Sequence, residues 1–513
     1  MGTPITGLEH REILDVLIVG AGFGGIGMAI NLLKAGINRF MVLEKSDDVG
    51  GTWHFNSYPG CACDVQSHLY SFSFAPKHDW TKRYAPWHEI KKYIVDTVEQ
   101  YQLRPFLQFH QEVSGCHFNP KQAVWTVKSR SGQSWQAHHV VIASGPLHVP
   151  HIPQFPGIEQ FQGTIMHSAQ WDHNQSLIGK RVASIGTGAS AIQYIPKIAP
   201  RVRQLDVYQR TPAWVLPRDE RHYLSIEKKL FERFPVWRKL HRARLYWSNE
   251  SRLLPIMTPA ISKIGAEALK ASIKLQVRDA QTAQKLTPDY ALGCKRILIS
   301  NTYYPTFNQP HVALITNGIQ SIHANSIVDS QGIERPTDCI VFGTGFIVDP
   351  RIYMRDFSCT GLPGHDLMQD WKDASEAYYG MAVHGFPNMW QLVGPNSGLG
   401  HNSILFMIEA QVRYIIECMH LLRQQGSDFM HVRPEVQKQF NDKVQEQANK
   451  TVWASGCTSW YQQADGRNFA IWPWSTWKFW LETRRVNPNA FIFGQATATT
   501  KKVKHSIRQE SVM

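Results

Sequence analysis

A nearly unbroken apolar run, Leu14-Asp-Val-Leu-Ile-Val19, leads into Gly20 near the start of the chain. A short continuous run bounded by turn residues reads as a parallel strand buried on both faces. The cluster Gly20-Ala-Gly22-Phe23-Gly24-Gly25 follows at once, and Ile26 to Lys34 read as a helix. A second short strand, Phe40-Met-Val-Leu43, runs into Glu44. From Ile13 to Leu33 the chain is apolar enough to suggest a membrane span or signal peptide. Five glycines interrupt it, and the twelve residues before it carry no positive excess, so strand, turn and helix are expected instead. Met1-Gly2-Thr3-Pro4-Ile5-Thr6 matches a loose myristoylation pattern, too short to carry weight.

The pattern recurs further on. Arg181-Val-Ala-Ser-Ile185 reads as a strand, Gly186-Thr187-Gly188-Ala-Ser190-Ala191 as a glycine turn, and a helix follows. The next strand, Leu205-Asp-Val-Tyr208, ends at Gln209-Arg210-Thr211. In such a unit the first glycine permits a tight turn and the second lets backbone approach a pyrophosphate. The third position allows close helix–strand packing, and the helix N-terminus favours an anion. Glu44 lies nineteen residues after Gly25, and Arg210 nineteen after Ala191. A carboxylate there accepts from an unmodified ribose diol and repels a 2′-phosphate, whereas a guanidinium binds that phosphate. The first unit therefore suits FAD and the second NADPH. The plain alternative, a solvated Arg210, stays open.

Val140-Val-Ile-Ala-Ser-Gly145 reads as a late strand of the first unit, and Ile340-Val-Phe-Gly-Thr-Gly345 as a strand end returning from the second. Pro146, Pro150, Pro153 and Pro156 mark a linker between the units. The expected fold class is α/β, two nested Rossmann-like dinucleotide-binding domains with a helical insertion. The first domain takes 1–150 and returns over 381–513 with a C-terminal loop and tail. The second takes 151–217 and 291–380, and the insertion 218–290. The insertion is charged, basic and aromatic, as in Trp237-Arg-Lys-Leu-His-Arg-Ala-Arg-Leu-Tyr-Trp247. A salt-bridged helical face is the ordinary reading of such text, and a membrane-surface helix is the other.

The formal net charge of +13 invites a nucleic-acid reading, but no nucleic-acid module is recognisable. Phosphate-bearing cofactors on a basic protein account for it more simply. The eight cysteines include no CxxC pair and no zinc spacing, so no metal and no disulfide framework are expected, and a reducing cytoplasm suits them. Oligomeric state is not written in the sequence.

Phe161-Gln-Gly163-Thr-Ile-Met-His167-Ser-Ala-Gln-Trp171-Asp172 lies between the two units and matches FxGxxxHxxxW(P/D) at every fixed position. In this the chain resembles the type I Baeyer–Villiger monooxygenases. The related flavin-containing monooxygenases usually place a smaller aromatic where Trp171 stands. Gly50-Gly51-Thr52-Trp53, Tyr58-Pro59-Gly60-Cys-Ala-Cys-Asp64, Leu286-Thr-Pro-Asp-Tyr290, Gly293-Cys-Lys295-Arg296 and Gly394-Pro-Asn-Ser-Gly-Leu-Gly-His-Asn402 also look like that family. The resemblance covers about residues 13 to 480. Many members have arginine where Ala62 stands, so one contact to NADP is in doubt here.

The resemblance implies oxidation of a ketone to an ester or lactone by NADPH and O2, through a peroxide on FAD. It further implies Thr52, Trp53, Asp64 and Tyr70 at FAD, and Ser190, Arg210, Thr211 and Lys295 at NADPH. Arg296 would be the catalytic cation with Asp64 beside it, and Trp460 would belong to a loop over NADP. A peroxide anion needs a permanent positive charge, which arginine keeps and lysine can lose. His167 reads as a structural residue at the domain joint. Three rivals remain: amine or sulfide oxidation by a flavin-containing monooxygenase, a non-catalytic flavin sensor, and a disulfide reductase built on Cys61-x-Cys63. The last requires a strained one-residue spacing.

Overall fold

The computed structural model describes residues 12–497 except 455, 457, 458 and 464. The myristoylation-like start, the basic stretch at Lys501, Lys502 and Lys504, and Cys457 lie outside the described residues. Two separate sheets carry the two glycine turns.

The first apolar run forms the strand Leu14–Val19, pairing in parallel with Phe40–Leu43 on one side and Ser134–Ile142 on the other. Between the first two strands runs the helix Phe23–Lys34, three residues longer at its N-terminus than expected. The sheet extends through Val124–Ser129, Val113–Asn119 and Ser358–Thr360, while Met389–Gln391 also pairs with Ser134–Ile142. On the face opposite that helix, Trp125, Phe118, Trp371 and Met389 fill a compact core.

The second sheet is wholly parallel, in the order Val312–Ile315, Gln204–Tyr208, Arg181–Ile185, Cys339–Phe342, Thr164–His167. The FxG of the linker is a packing device. A Cβ on Gly163 would stand 2.4 Å from the Asp338 carbonyl oxygen and 2.6 Å from the Phe161 ring. His167 ends the edge strand, accepts from the Ala169 N–H at 3.0 Å and is buried, and burial pushes its pKa down to about 4.

The chain rejoins the first sheet at Ser358–Thr360, so the return crossing falls between 343 and 357, ahead of the expected boundary at 380. Three residues are too short a strand to show a period in the sequence. The insertion folds as helices, including Ser225–Arg233, Pro235–Glu250, Pro259–Gln276 and Ala280–Lys285. Among the described residues Arg221–Glu227 and Lys270–Glu267 pair within it, and Asp219, Glu232 and Glu250 pair with Arg83, His78 and His401 outside it.

Among the described residues, no helix is long and apolar enough to cross a membrane. Six cysteines there are free and buried, whereas Cys294 is disulfide-bonded, a link outside the expectation that the cysteines build no disulfide framework. Sequence spacing shows only local pairs, so such a link is invisible to it.

Candidate active site

Gly20 has φ +105°, and a Cβ there would meet the Ala143 carbonyl oxygen at 2.7 Å. A Cβ on Gly25 would lie 1.8 Å from the Gly20 oxygen, so helix and strand touch only because that position is glycine. Gly22 is different. Its backbone is extended, and a Cβ would find only Gly51 at ordinary contact distance. The second turn repeats this: Gly186 has φ +104°, and a Cβ on Gly188 would meet only the Gly343 carbonyl oxygen, at an ordinary 3.8 Å. Neither the turn nor the packing requires Gly22 or Gly188. Both face a cavity, where an added methyl would occupy the space beside the turn.

That cavity has a volume of about 1530 Å³. A single drug-sized ligand occupies roughly 300–1,000 Å³, so there is room for more than one. It reaches both glycine turns. Apart from Gly25, which packs inside the first turn, every residue expected to bind a cofactor or to act in catalysis lines it.

At the first turn Glu44 ends its strand almost fully buried. Its Oε2 accepts from the Ala21 N–H at 2.8 Å, and its Oε1 from the Ser46 N–H and hydroxyl at 2.9 Å each. Thr52 opens a short helix over the same turn, and the Trp53 indole N–H donates to the Tyr70 hydroxyl at 3.1 Å. Phe23 meets Tyr70 edge-on at 5.4 Å, so these three rings brace one another.

At the second turn Thr187 donates to the Thr211 carbonyl at 3.3 Å, and Ser190 precedes the helix Ala191–Ile198. Arg210 is exposed at the cavity rim. Lys295 lies 4.8 Å from the centre of the Tyr290 ring. Burial, and then the charge of Arg210, hold Lys295 below the ordinary lysine range. Two mutually repelling cations with no ion-pair partner among the described residues suit a dianionic phosphate.

Arg296 and Asp64 meet across 232 residues. Nε and Nη2 of Arg296 donate to the same Asp64 oxygen, at 3.2 and 2.5 Å. The two side chains remain 33% and 28% accessible, and both line the cavity. Burial alone would raise the Asp64 pKa, but the charge and hydrogen bonds of Arg296 overcome it and hold the carboxyl below its usual range. Asp64 in turn raises Arg296 against the effect of burial. The buried hydroxyl of Tyr461 also lies within electrostatic reach of Arg296. Trp460, at the cavity wall, crosses Tyr461 edge-on at 4.3 Å.

Cys61 and Cys63 are free buried thiols. Burial pushes Cys61 up to about 12 and Cys63 higher still, so neither supplies the thiolate a disulfide reductase needs.

Sequence reasoning passed over several residues. Gln193, on the second helix, accepts from the Tyr58 hydroxyl and the Ala62 N–H and donates to the Ala62 carbonyl. Arg218 donates to the Cys63 carbonyl at 3.2 Å, beside Asp64. Glu250, buried at the end of its helix, accepts from Asn402 Nδ2 at 2.6 Å and from the Thr476 N–H and hydroxyl, which fixes the cavity-lining Asn402. Of these, only Asn402 stood in a stretch already marked. Gln193 lies two residues beyond the second turn, where that proximity was the one available signal.

Residues 14–255 match a family profile described as flavin-binding monooxygenase-like. The chain is 42% identical to a Baeyer-Villiger monooxygenase of Pseudomonas aeruginosa, over 93% of this chain and 90% of that protein. A Baeyer-Villiger monooxygenase of Streptomyces coelicolor is likewise 42% identical, over 93% of each. Among solved structures, a steroid monooxygenase bound to NADP superposes with a TM-score of 0.85 at 26% identity. It is matched over 94% of this chain and 100% of that one. A cyclohexanone monooxygenase from Rhodococcus bound to NADP+ gives 0.84 at 26% identity, over 94% and 99%.

Proposed function

The chain belongs to the Baeyer–Villiger monooxygenases, flavoenzymes that use NADPH and O2 to place one oxygen atom beside a ketone carbonyl, and from that premise we propose how its own residues divide the work. Gly20, Gly22, Phe23, Gly25, Glu44, Thr52, Trp53, Asp64 and Tyr70 hold FAD. Gly186, Thr187, Gly188, Ser190, Arg210, Thr211, Lys295 and Trp460 hold NADPH. Segment 1–150 and the returning C-terminal part form the flavin domain, while 151–217 and the part after 291 form the nicotinamide domain. NADPH dependence fits work in the cytoplasm.

Three features support this placement. Gly22 and Gly188 leave backbone bare toward the cavity without conformational need. Glu44 closes the first site against a 2′-phosphate, and Arg210 with Lys295 opens the second to one. When bound, FAD reduced by NADPH supplies the oxygen activation.

Arg296 supplies a fixed positive charge. It stays protonated at every working pH, so an anionic oxygen species beside it is favoured and so is negative charge growing on the ketone oxygen. Asp64 aims the guanidinium by taking both N–H groups on one oxygen and offsets its burial. The trio Phe23, Trp53 and Tyr70 fixes the wall near the pair, and Trp460 adds its ring to the lining beside Tyr461.

The Arg296–Asp64 pair, inside a cavity spanning both glycine turns, carries the reading. Arg296→Ala should leave flavin bleaching by NADPH intact in stopped-flow spectra and abolish ester formation by mass spectrometry. Normal ester yield from that variant would remove the role. A panel of ketones, amines and sulfides, with products identified, tests the ketone preference.

A further inference from the structure

The helix Pro235–Glu250 is unusual for its outer face. Val236, Leu240 and Trp247 stand at i, i+4 and i+11, one stripe of a 3.6-residue helix, and are 69%, 58% and 58% exposed. Ala243 continues the stripe, and Phe234 and Trp237 widen it at the N-terminal end, both more than half exposed. The opposite face is anchored. Leu245 and Asn249 are buried there, and Arg242 donates to the His68 carbonyl at 2.6 Å. The exposed stripe is therefore held outward by a fixed inner face.

Cations border the stripe. Lys239 lies on one side of it and Arg244 on the other, and neither pairs with an acid among the described residues. Lys228, Lys229 and Arg233 on the preceding helix are unpaired in the same sense. The neighbouring helix Thr476–Glu482, tied to this one by the Tyr246–Thr476 hydrogen bond at 2.8 Å, exposes Trp477 and Leu481. A monomer seldom leaves so contiguous an apolar patch in water. A second copy of the chain would bring the same unpaired cations against one another, whereas an anionic surface would neutralise them.

We propose that this face is a peripheral docking surface for an anionic lipid membrane, with Trp247, Leu240 and Val236 seated at the acyl boundary. Lys239 and Arg244 then lie at headgroup level. An amphipathic helix in the interface plane draws on both apolar burial and attraction to anionic lipid, and it does not span the bilayer. Ketones that dissolve in lipid would reach such an enzyme at higher local concentration.

The test pellets the full FAD-loaded chain with phosphatidylcholine vesicles, alone or containing about one third phosphatidylglycerol. The wild type should sediment with the anionic vesicles, remain in the supernatant with the neutral ones, and be released by added salt. Leu240→Asp/Trp247→Asp and, separately, Lys239→Glu/Arg244→Glu should each lower partitioning by roughly tenfold or more while keeping NADPH oxidation, since none of the four touches the cavity. The proposal is overturned if the wild type ignores anionic vesicles or if both variants bind them unchanged. A wild-type dimer in gel filtration that the aspartate variant dissociates would overturn it as well, because a second copy would then cover the face.

Discussion

Gln193 and Ala62 exchange two hydrogen bonds across 131 residues: the Ala62 N–H donates to the Gln193 amide oxygen at 3.2 Å, and the Gln193 amide donates back to the Ala62 carbonyl at 3.0 Å. The same oxygen accepts from the Tyr58 hydroxyl at 2.9 Å. One side chain from the helix after the second glycine turn thus clasps the loop carrying Tyr58 and Ala62. Position 62 itself carries only a methyl group, and its backbone is held from the helix Ala191–Ile198.

Gln193→Met keeps the volume and removes the clasp. Three bonds of about 1 kcal/mol each predict a rise in the Michaelis constant for NADPH of roughly tenfold or more. FAD content should not change, because Gln193 bonds only Tyr58 and Ala62, neither of which is assigned to FAD. Steady-state kinetics with NADPH, beside the flavin absorbance of the purified variant, checks this. An unaltered Michaelis constant would show that the domains hold their relation without Gln193.

Asp64→Asn leaves the guanidinium without its charge partner while preserving shape. Product formation should fall by about tenfold or more, because Arg296 loses its fixed aim. Flavin reduction by NADPH should persist. Single-turnover spectra separate the two half-reactions, and equal losses in both would show that Asp64 serves the fold rather than the oxygenation step.

Arg210→Ala should raise the Michaelis constant for NADPH by about tenfold to a hundredfold and leave that for NADH nearly unchanged, since a charge-assisted bond to phosphate is worth roughly 1.5–3 kcal/mol. The same substitution removes the repulsion that depresses Lys295. Lys295 alone would then retain part of the preference for NADPH, and Arg210→Ala/Lys295→Ala should erase it. Equal effects of the single substitution on the two cofactors would sink the assignment.

Much of this was legible because glycine geometry is local. The turns at Gly20 and Gly186 need positive φ, and Gly25 needs the absence of a side chain, whatever the rest of the chain does. The pairing of Arg296 with Asp64 was reachable only through the family resemblance, since nothing in their own neighbourhoods links positions 232 apart. Glu250 and the disulfide at Cys294 were not legible at all, and Gln193 only through its place just beyond the second turn. Each acts through a partner set by tertiary packing, and none breaks the local pattern in which it sits. The strand Ser358–Thr360 escaped for another reason: its sheet partner, Val113–Asn119, lies more than two hundred residues earlier in the chain.

Six histidines sit neutral in the fold. Burial lowers His68 and His139 from 6.5 to about 3, and His148, His167, His241 and His431 to about 4. In the unfolded chain they take up protons below about pH 6.5, and in the folded chain only near pH 4 or lower. Their contribution to stability is therefore complete above pH 6.5 and is lost as pH falls toward 4. The melting temperature should drop by roughly 5 °C or more between pH 7 and pH 5. A flat profile across that range, by scanning fluorimetry, would mean that these rings are hydrated in solution.

Gly22→Ala and Gly25→Ala, three residues apart, should fail in different ways. A methyl on Gly25 would be driven to 1.8 Å from the Gly20 oxygen, so the helix must move off its strand. Overpacking of that kind costs about 1–3 kcal/mol or more, and the protein should melt earlier even when no flavin is bound. A methyl on Gly22 meets only Gly51 at 3.5 Å, and its extended backbone suits any residue. The flavin-free Gly22→Ala protein should therefore melt with the wild type, yet bind FAD at least about tenfold more weakly, because the methyl stands where the pyrophosphate must come. Titration of FAD into the stripped proteins, alongside their melting curves, separates the two cases. If Gly22→Ala takes up FAD as the wild type does, the phosphates do not lie against this turn, and the flavin must be placed elsewhere in the cavity.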